Sequence, residues 1–181
     1  KIKYGYVSVY IGIWEMSRGF TFLELLITIS VLSILLAVAA PSFSSVSQTI
    51  KMQRLASELN GFMMQAKSEA VMRNTDLWAH FLMNGNSSDT GDWKVELTEF
   101  NVPNTGTAIL TMEGGAFRNV DVTVNYSSEQ IKFSGINGRA KDGSFLFDIN
   151  SKPLKLITYR ASGRMRICGV GGDFYGYQAC S

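Results

Sequence analysis

From Phe20 to Ala40 the chain is predominantly apolar, and the only charge inside that run is Glu24. About 20 such residues span a bilayer as a helix. Beyond Pro41 the apolar positions take up helical spacing: Leu55, Leu59, Phe62, Met63, Ala66 and Ala70 define one face. Lys51, Arg54, Glu58, Lys67, Glu69 and Arg73 fall mostly elsewhere around it. The pattern predicts one long helix from about Phe20 to Arg73, its first half in an apolar medium and its second half packed on a sheet. Pro41 either kinks this helix or terminates the span. Met63-Met64 reads as core filler.

From Leu77 the period shortens to two. Strands are predicted at Leu77–Leu82, Trp93–Leu97, Ala108–Met112, Val120–Val124, Gln130–Phe133, Gly143–Ile149, Leu154–Tyr159 and Met165–Cys168. Asn84–Asp92 is polar and reads as a plain hairpin loop; it is acidic, but lacks the ordered ligand spacing of a calcium loop. Asn137-Gly138 and Asp142-Gly143 are turn signals. There is no internal repeat. Many short strands after one long helix make the fold class α+β with antiparallel sheets.

Composition changes this picture in three places. The 181 residues allow one membrane helix and a single further domain of roughly 100–130 residues. The formal net charge of +2 hides an asymmetry: residues 51–130 carry 6 Lys/Arg and 10 Asp/Glu, a net of −4, while residues 131–181 carry 8 and 3, a net of +5. Either an anionic partner meets the basic end, or the two halves attract each other within the fold. The two cysteines, Cys168 and Cys180, form a disulfide if the domain is exported and stay free thiols in a reducing compartment. A zinc site would need more ligands than these and the single histidine, His80, which reads as structural.

Glu24 is the anomaly. A charge at the centre of a membrane helix costs roughly 2.5–3.5 kcal/mol on insertion scales and usually has a function and a partner. A secretory signal, with Lys1, Lys3 and Arg18 as its basic region and Ala37-Val38-Ala39 as its cleavage site, leaves Glu24 unexplained. So does a simple anchor. Arg18-Gly19-Phe20-Thr21-Phe22-Leu23-Glu24, by contrast, resembles the prepilin signal of type IV pilins and type II secretion pseudopilins. That resemblance implies cleavage after Gly19 by a prepilin peptidase and N-methylation of Phe20. It also implies retention in the inner membrane until assembly, with the soluble domain in the periplasm. Glu24 would then pair with the terminal amine of a neighbouring subunit, since burying two opposite charges together removes much of the cost of burying either alone. The predicted organisation is a leader over 1–19, in which Met16 is a plausible true start and 1–15 upstream sequence; a transmembrane or filament-core helix over 20–46; and a soluble domain over 47–181.

The second informative segment is Ser162-Gly163-Arg164-Met165-Arg166-Ile167-Cys168. Gly163 reads as the turn of a hairpin. Two positions apart on a strand, Arg164 and Arg166 share a face, and Met165 and Ile167 point into the core. Paired guanidiniums suit consecutive phosphates or a pair of carboxylates. Lys155, Arg160, Arg139 and Lys141 are near in sequence and would widen the patch. The Gly-Arg-X-Arg segment, the prepilin signal and the helix-then-strands order together resemble the GspH/FimT family of minor pilins and pseudopilins, over the whole chain from Met16. In FimT-type members the corresponding C-terminal motif is implicated in binding DNA during natural transformation, which carries over to Arg164 and Arg166 alone. Against this stands a plain salt bridge from the arginines to the acidic middle region. Once bridged, the Cys168–Cys180 loop would hold a flexible tail beside them, and its Phe174, Tyr175 and Tyr177 would stack on bases or cover the core.

With no nucleophile–base pair, metal cluster or phosphate loop in the sequence, no enzyme, cofactor or metal is expected. The expected protein is a subunit with other pilins or pseudopilins, the peptidase, the membrane and DNA as partners. The alternative is a subunit that primes filament assembly in a pilus or a type II secretion system without touching DNA.

Overall fold

The computed structural model describes residues 19–181, apart from the side chains of 39–42. The rest of the expected leader, with Met16 and Arg18, lies outside the described residues. The chain divides into two compact units, 1–43 and 44–181, and helix α1 (Phe22–Arg73) contributes to both.

In the first unit Thr21 precedes the helix, and its hydroxyl accepts the Glu24 N–H at 3.2 Å. Thr21-Phe22-Leu23-Glu24 is thus a helix start with capping-box spacing, and Glu24 supplies a negative charge to the first turn. The helix is long and apolar enough here to cross a membrane. Its hydroxyls are satisfied internally: Thr28 bonds to the Leu25 carbonyl at 2.8 Å, Ser30 to Leu26 at 2.7 Å and Ser33 to Ile29 at 2.7 Å. Backbone and side-chain donors satisfied within one segment are what an apolar medium demands.

In the second unit the α1 stripe is buried as its spacing predicts: Met52, Leu55, Leu59, Phe62, Met63, Ala66 and Ala70 all face the core. The helix ends in a Schellman motif. Asn74 takes φ 50°, its N–H bonds to the Val71 carbonyl at 3.1 Å, and Thr75 N–H bonds to that of Ala70 at 3.2 Å.

The strands form two antiparallel sheets. The first has the order β4 (Leu110–Glu113), β3 (Trp93–Thr98), β1 (Leu77–Met83), β6 (Gln130–Phe133). The second has the order β2 (Ser87–Ser88), β5 (Asp121–Asn125), β7 (Gly143–Asp148), β8 (Leu154–Tyr159), β9 (Arg164–Gly169). Phe145 of β7 joins the two, 5.3 Å from Phe81 and 6.0 Å from Trp93 between ring centroids. Helix, both sheets and the short 3-10 turn Gly114–Phe117 share one core.

All eight expected strands are present, with ends shifted by up to two residues. Two expectations need correction. The 84–92 segment does close the β1–β3 hairpin, yet it is more than a loop. Ser87 and Ser88 pair with Thr123 and Val122, which makes them the edge of the second sheet. Asp142-Gly143 is not a glycine-dependent turn, because Gly143 opens β7 without a positive φ. It is glycine because a Cβ there would lie 2.0 Å from the Tyr126 ring.

Candidate functional site

The β8–β9 hairpin pairs Tyr159 with Arg164, Ile157 with Arg166 and Lys155 with Cys168. Alternation packs Met165 and Ile167 against the core and turns Lys155, Arg164 and Arg166 to the opposite face. The tip, Arg160–Gly163, is closed by the Gly163 N–H on the Tyr159 carbonyl at 2.8 Å. Gly163 has φ 66°, the left-handed region that favours glycine. Lys67 of α1 donates to its carbonyl at 3.3 Å, which pins the tip to the helix.

The two arginines differ. Arg166 is committed: its Nη1 donates to the Ser181 hydroxyl at 3.0 Å and its Nη2 to the Ala179 carbonyl at 3.2 Å. Arg164 is exposed, and among the described residues its guanidinium has no hydrogen-bond or ion-pair partner. Nor does an ion pair among the described residues join either arginine to the acidic middle region.

Cys168 and Cys180 are bridged. The segment they close is not the loose tail its glycines predicted. Gly169 N–H bonds to the Gln178 carbonyl at 2.9 Å, Cys180 N–H to that of Gly169 at 2.9 Å, and Ala179 N–H to Asp173 Oδ1 at 2.7 Å. Phe174, Tyr175 and Tyr177 pack against the core rather than standing free. Tyr175 is anchored twice, through its hydroxyl to the Ile149 carbonyl at 3.2 Å and through its carbonyl to Gln53 of α1 at 3.0 Å.

The remaining expected cations are elsewhere. Arg139, Lys141 and Arg160 line an open groove of about 860 Å³, together with Trp78, Lys132, Asp76 and Asp142. Lys155, Arg164 and Arg166 do not line it. The expected single patch is therefore two clusters, linked through the hairpin tip, where Arg139 Cγ lies 3.4 Å from the place a Gly163 Cβ would take. Both acids of the groove are engaged. Asp142 accepts the Arg160 N–H at 2.5 Å, and Asp76 accepts the Gly135 N–H at 3.0 Å and the Lys132 ammonium at 2.6 Å. The Lys132 and Gly135 contacts hold the Asp76 carboxyl below its ordinary range. Lys141 Nζ donates to the Ser127 carbonyl at 2.9 Å.

The family model described as Type II transport protein GspH matches residues 55–171, and that of the Prokaryotic N-terminal methylation motif matches residues 16–40. The chain belongs to the GspH family. It is a minor pilin or pseudopilin subunit carrying the methylation motif at the start of its apolar helix. The fold of this GspH-family chain is similar to that of the Pseudomonas aeruginosa type IV minor pilin FimU in two crystal forms. Identity is 20% in both, with TM-scores of 0.51 and 0.52 over 64% of this chain and 90% or 86% of FimU. A comparison with curated proteins finds no match.

In the first unit Gly19 and Phe20 precede the helix and are exposed, and Glu24 stands in its first turn. His80 is buried, its Nε2 within 3.2 Å of the Thr98 hydroxyl and 2.9 Å of the Phe100 carbonyl, in keeping with a structural role. Sequence reasoning missed Trp78 and Lys132. They are distant in the chain and become direct cross-strand partners only through the β1–β6 register. The one available signal was alternation, which sets Trp78 off the core face of β1.

Proposed function

We propose that this GspH-family subunit is a minor type IV pilin that binds DNA without sequence preference for uptake in natural transformation. Processing after Gly19 and methylation of Phe20 deliver it. The 20–46 helix holds it in the inner membrane, and Glu24 pairs with the amine of a neighbouring Phe20 on assembly. Arg164 and Arg166 are the principal phosphate contacts; Lys155 extends them along the same face of the hairpin, and Arg160, Arg139 and Lys141 extend them past its tip. The role is structural and binding rather than catalytic.

The observation that carries the DNA reading is the unpartnered, exposed guanidinium of Arg164 beside a rigid glycine turn. A cation left without a carboxylate in a chain that has acids to spare is suited to an external anion. Phosphate contacts of this kind give weak sequence preference and steep salt dependence. Gel-shift titration of the full chain in non-ionic detergent micelles tests it. Arg164→Ala is expected to weaken binding of duplexes of unrelated sequence alike, and more at low salt. Unchanged affinity, or no binding by the unsubstituted chain at low salt, overturns the reading.

One observation favours a second reading. Both outer nitrogens of Arg166 are occupied by the tail, as in an arginine serving the fold. A type II secretion pseudopilin, or a minor pilin that primes filament assembly without DNA, would need no more than this.

A further inference from the structure

The groove beside the hairpin differs in character from the face of Arg164. Trp78 is half-buried within it, Lys132 Nζ lies 5.5 Å from the indole centroid, and Ile136 on the rim is 87% exposed. Arg139 and Arg160 are exposed, and among the described residues their guanidiniums have no hydrogen-bond or ion-pair partner. An aromatic floor, an apolar rim and unpaired guanidiniums together match a nucleotide. The ring offers a stacking surface, the rim packs on a second base face, and the cations meet the backbone.

We propose that this groove takes an unpaired base of single-stranded nucleic acid, stacked on Trp78, with Arg139 and Arg160 on the flanking phosphates. The proposal rests on the DNA-binding reading above and adds to it a preference for single strands. In a duplex each base is stacked on its neighbours and paired along its edge, so it cannot reach a half-buried indole inside a groove. A base in a single strand can. Lys132 covers the indole and is held by Asp76, and its exposed side chain must swing aside as the base enters. An exposed ion pair is worth little, so this displacement is cheap against a base–aromatic stack. The freed ammonium then joins the phosphate contacts, and Lys141, tethered to Ser127, lines the same groove.

The test is fluorescence anisotropy of the full chain in non-ionic detergent micelles with a labelled 20-nucleotide oligo-dT and a labelled 20-base-pair duplex. Trp78→Leu is expected to weaken single-strand binding about 5- to 100-fold and duplex binding less than about twofold, whereas Arg164→Ala weakens both. Equal loss on both probes, or none on the single strand, overturns the proposal. Trp78 is part of a sheet, so a second measurement stands apart from the variant's folding. Photo-cross-linking of the unsubstituted chain to oligo-dT carrying 5-iodouracil is expected to label Trp78. Labelling only elsewhere, or no cross-link at all, overturns it. If the unsubstituted chain binds DNA through Arg164 while Trp78 is silent, this proposal alone falls; if it binds no nucleic acid, both fall.

Discussion

Arg166 donates from its guanidinium to the carbonyl of Ala179 at 3.2 Å, so the second arginine of the hairpin and the end of the segment closed by the disulfide hold one another. The Cys168–Cys180 bridge, with a sequence separation of 12, keeps that tail within reach. Arg166 can meet an external phosphate through both nitrogens only when the tail moves.

Removing the bridge therefore has two expected consequences of opposite kind. Closing a loop of this size contributes about 3 kcal/mol on the chain-entropy view, so Cys168→Ser/Cys180→Ser should lower the thermal midpoint by about 10 °C. The same change loosens the tail over Arg166, so DNA affinity below the melting range should rise and the loss on Arg166→Ala should become larger than in the bridged chain. Calorimetry and gel-shift titration of the bridged and double-serine chains check the two effects separately. A fall in affinity on removing the bridge would mean that the tail helps to form the DNA surface rather than occupying it.

Gly163 sets the tip on which both clusters converge. At φ 66° an alanine pays the left-handed penalty, about 1 kcal/mol. A Cβ would meet Arg139 Cγ at 3.4 Å and Lys67 Nζ at 3.9 Å, which is ordinary contact. The cost is thus conformational rather than steric. Gly163→Ala should destabilise by about 1 kcal/mol and Gly163→Asn by less, since asparagine tolerates this region. Urea unfolding of the three chains decides it. A loss several times larger for alanine would point to steric conflict at Arg139.

These two positions also mark how far the chain could be read in advance. Period-two alternation places Arg164 and Arg166 on one face, and period 3.6 finds the buried stripe from Leu55 to Ala70, because both depend only on local geometry. What was hidden is non-local or backbone-made. Ser87-Ser88 carries no side-chain pattern, since its pairing with β5 is made by the main chain. Trp78 meets Lys132 only through strand register. The tail over Arg166 is held by a carbonyl and a hydroxyl, which leave no charge signature in the sequence. The signal around Glu24 is legible as charge and motif, whereas the bond from its backbone N–H to the Thr21 hydroxyl, which caps the helix, is made by the main chain.

At the other end of the chain, Gly19 and Phe20 precede α1 as an exposed segment, which leaves the bond between them open to a peptidase. Mass spectrometry of the chain expressed with a prepilin peptidase should find a mature amino terminus at Phe20 with one N–H hydrogen replaced by a methyl group. Glu24→Val should leave that cleavage intact while blocking incorporation into filaments, because the change removes the proposed partner of the amine and nothing from the scissile bond. A mature terminus at Ala40 would instead identify an ordinary secretory signal.

Tyr126 makes stability depend on pH at the alkaline end. Its ring is buried against Gly143 and stacks on Phe81 with centroids 5.7 Å apart, and burial pushes its phenol far above the ordinary value of 10.0. A hydrogen bond donated by Thr158 at 3.3 Å offsets this only in part. A folded-state pKa raised above the unfolded one means that the unfolded chain loses its proton first. The contribution is complete below about pH 10 and is lost as pH rises from there towards the folded value. The urea midpoint should fall above about pH 10, and Tyr126→Phe should flatten that slope. In absorbance titration at fixed temperature, the last tyrosine should ionise together with unfolding rather than before it. A full tyrosine titration by a chain that is still folded would show the phenol to be accessible and overturn the assignment.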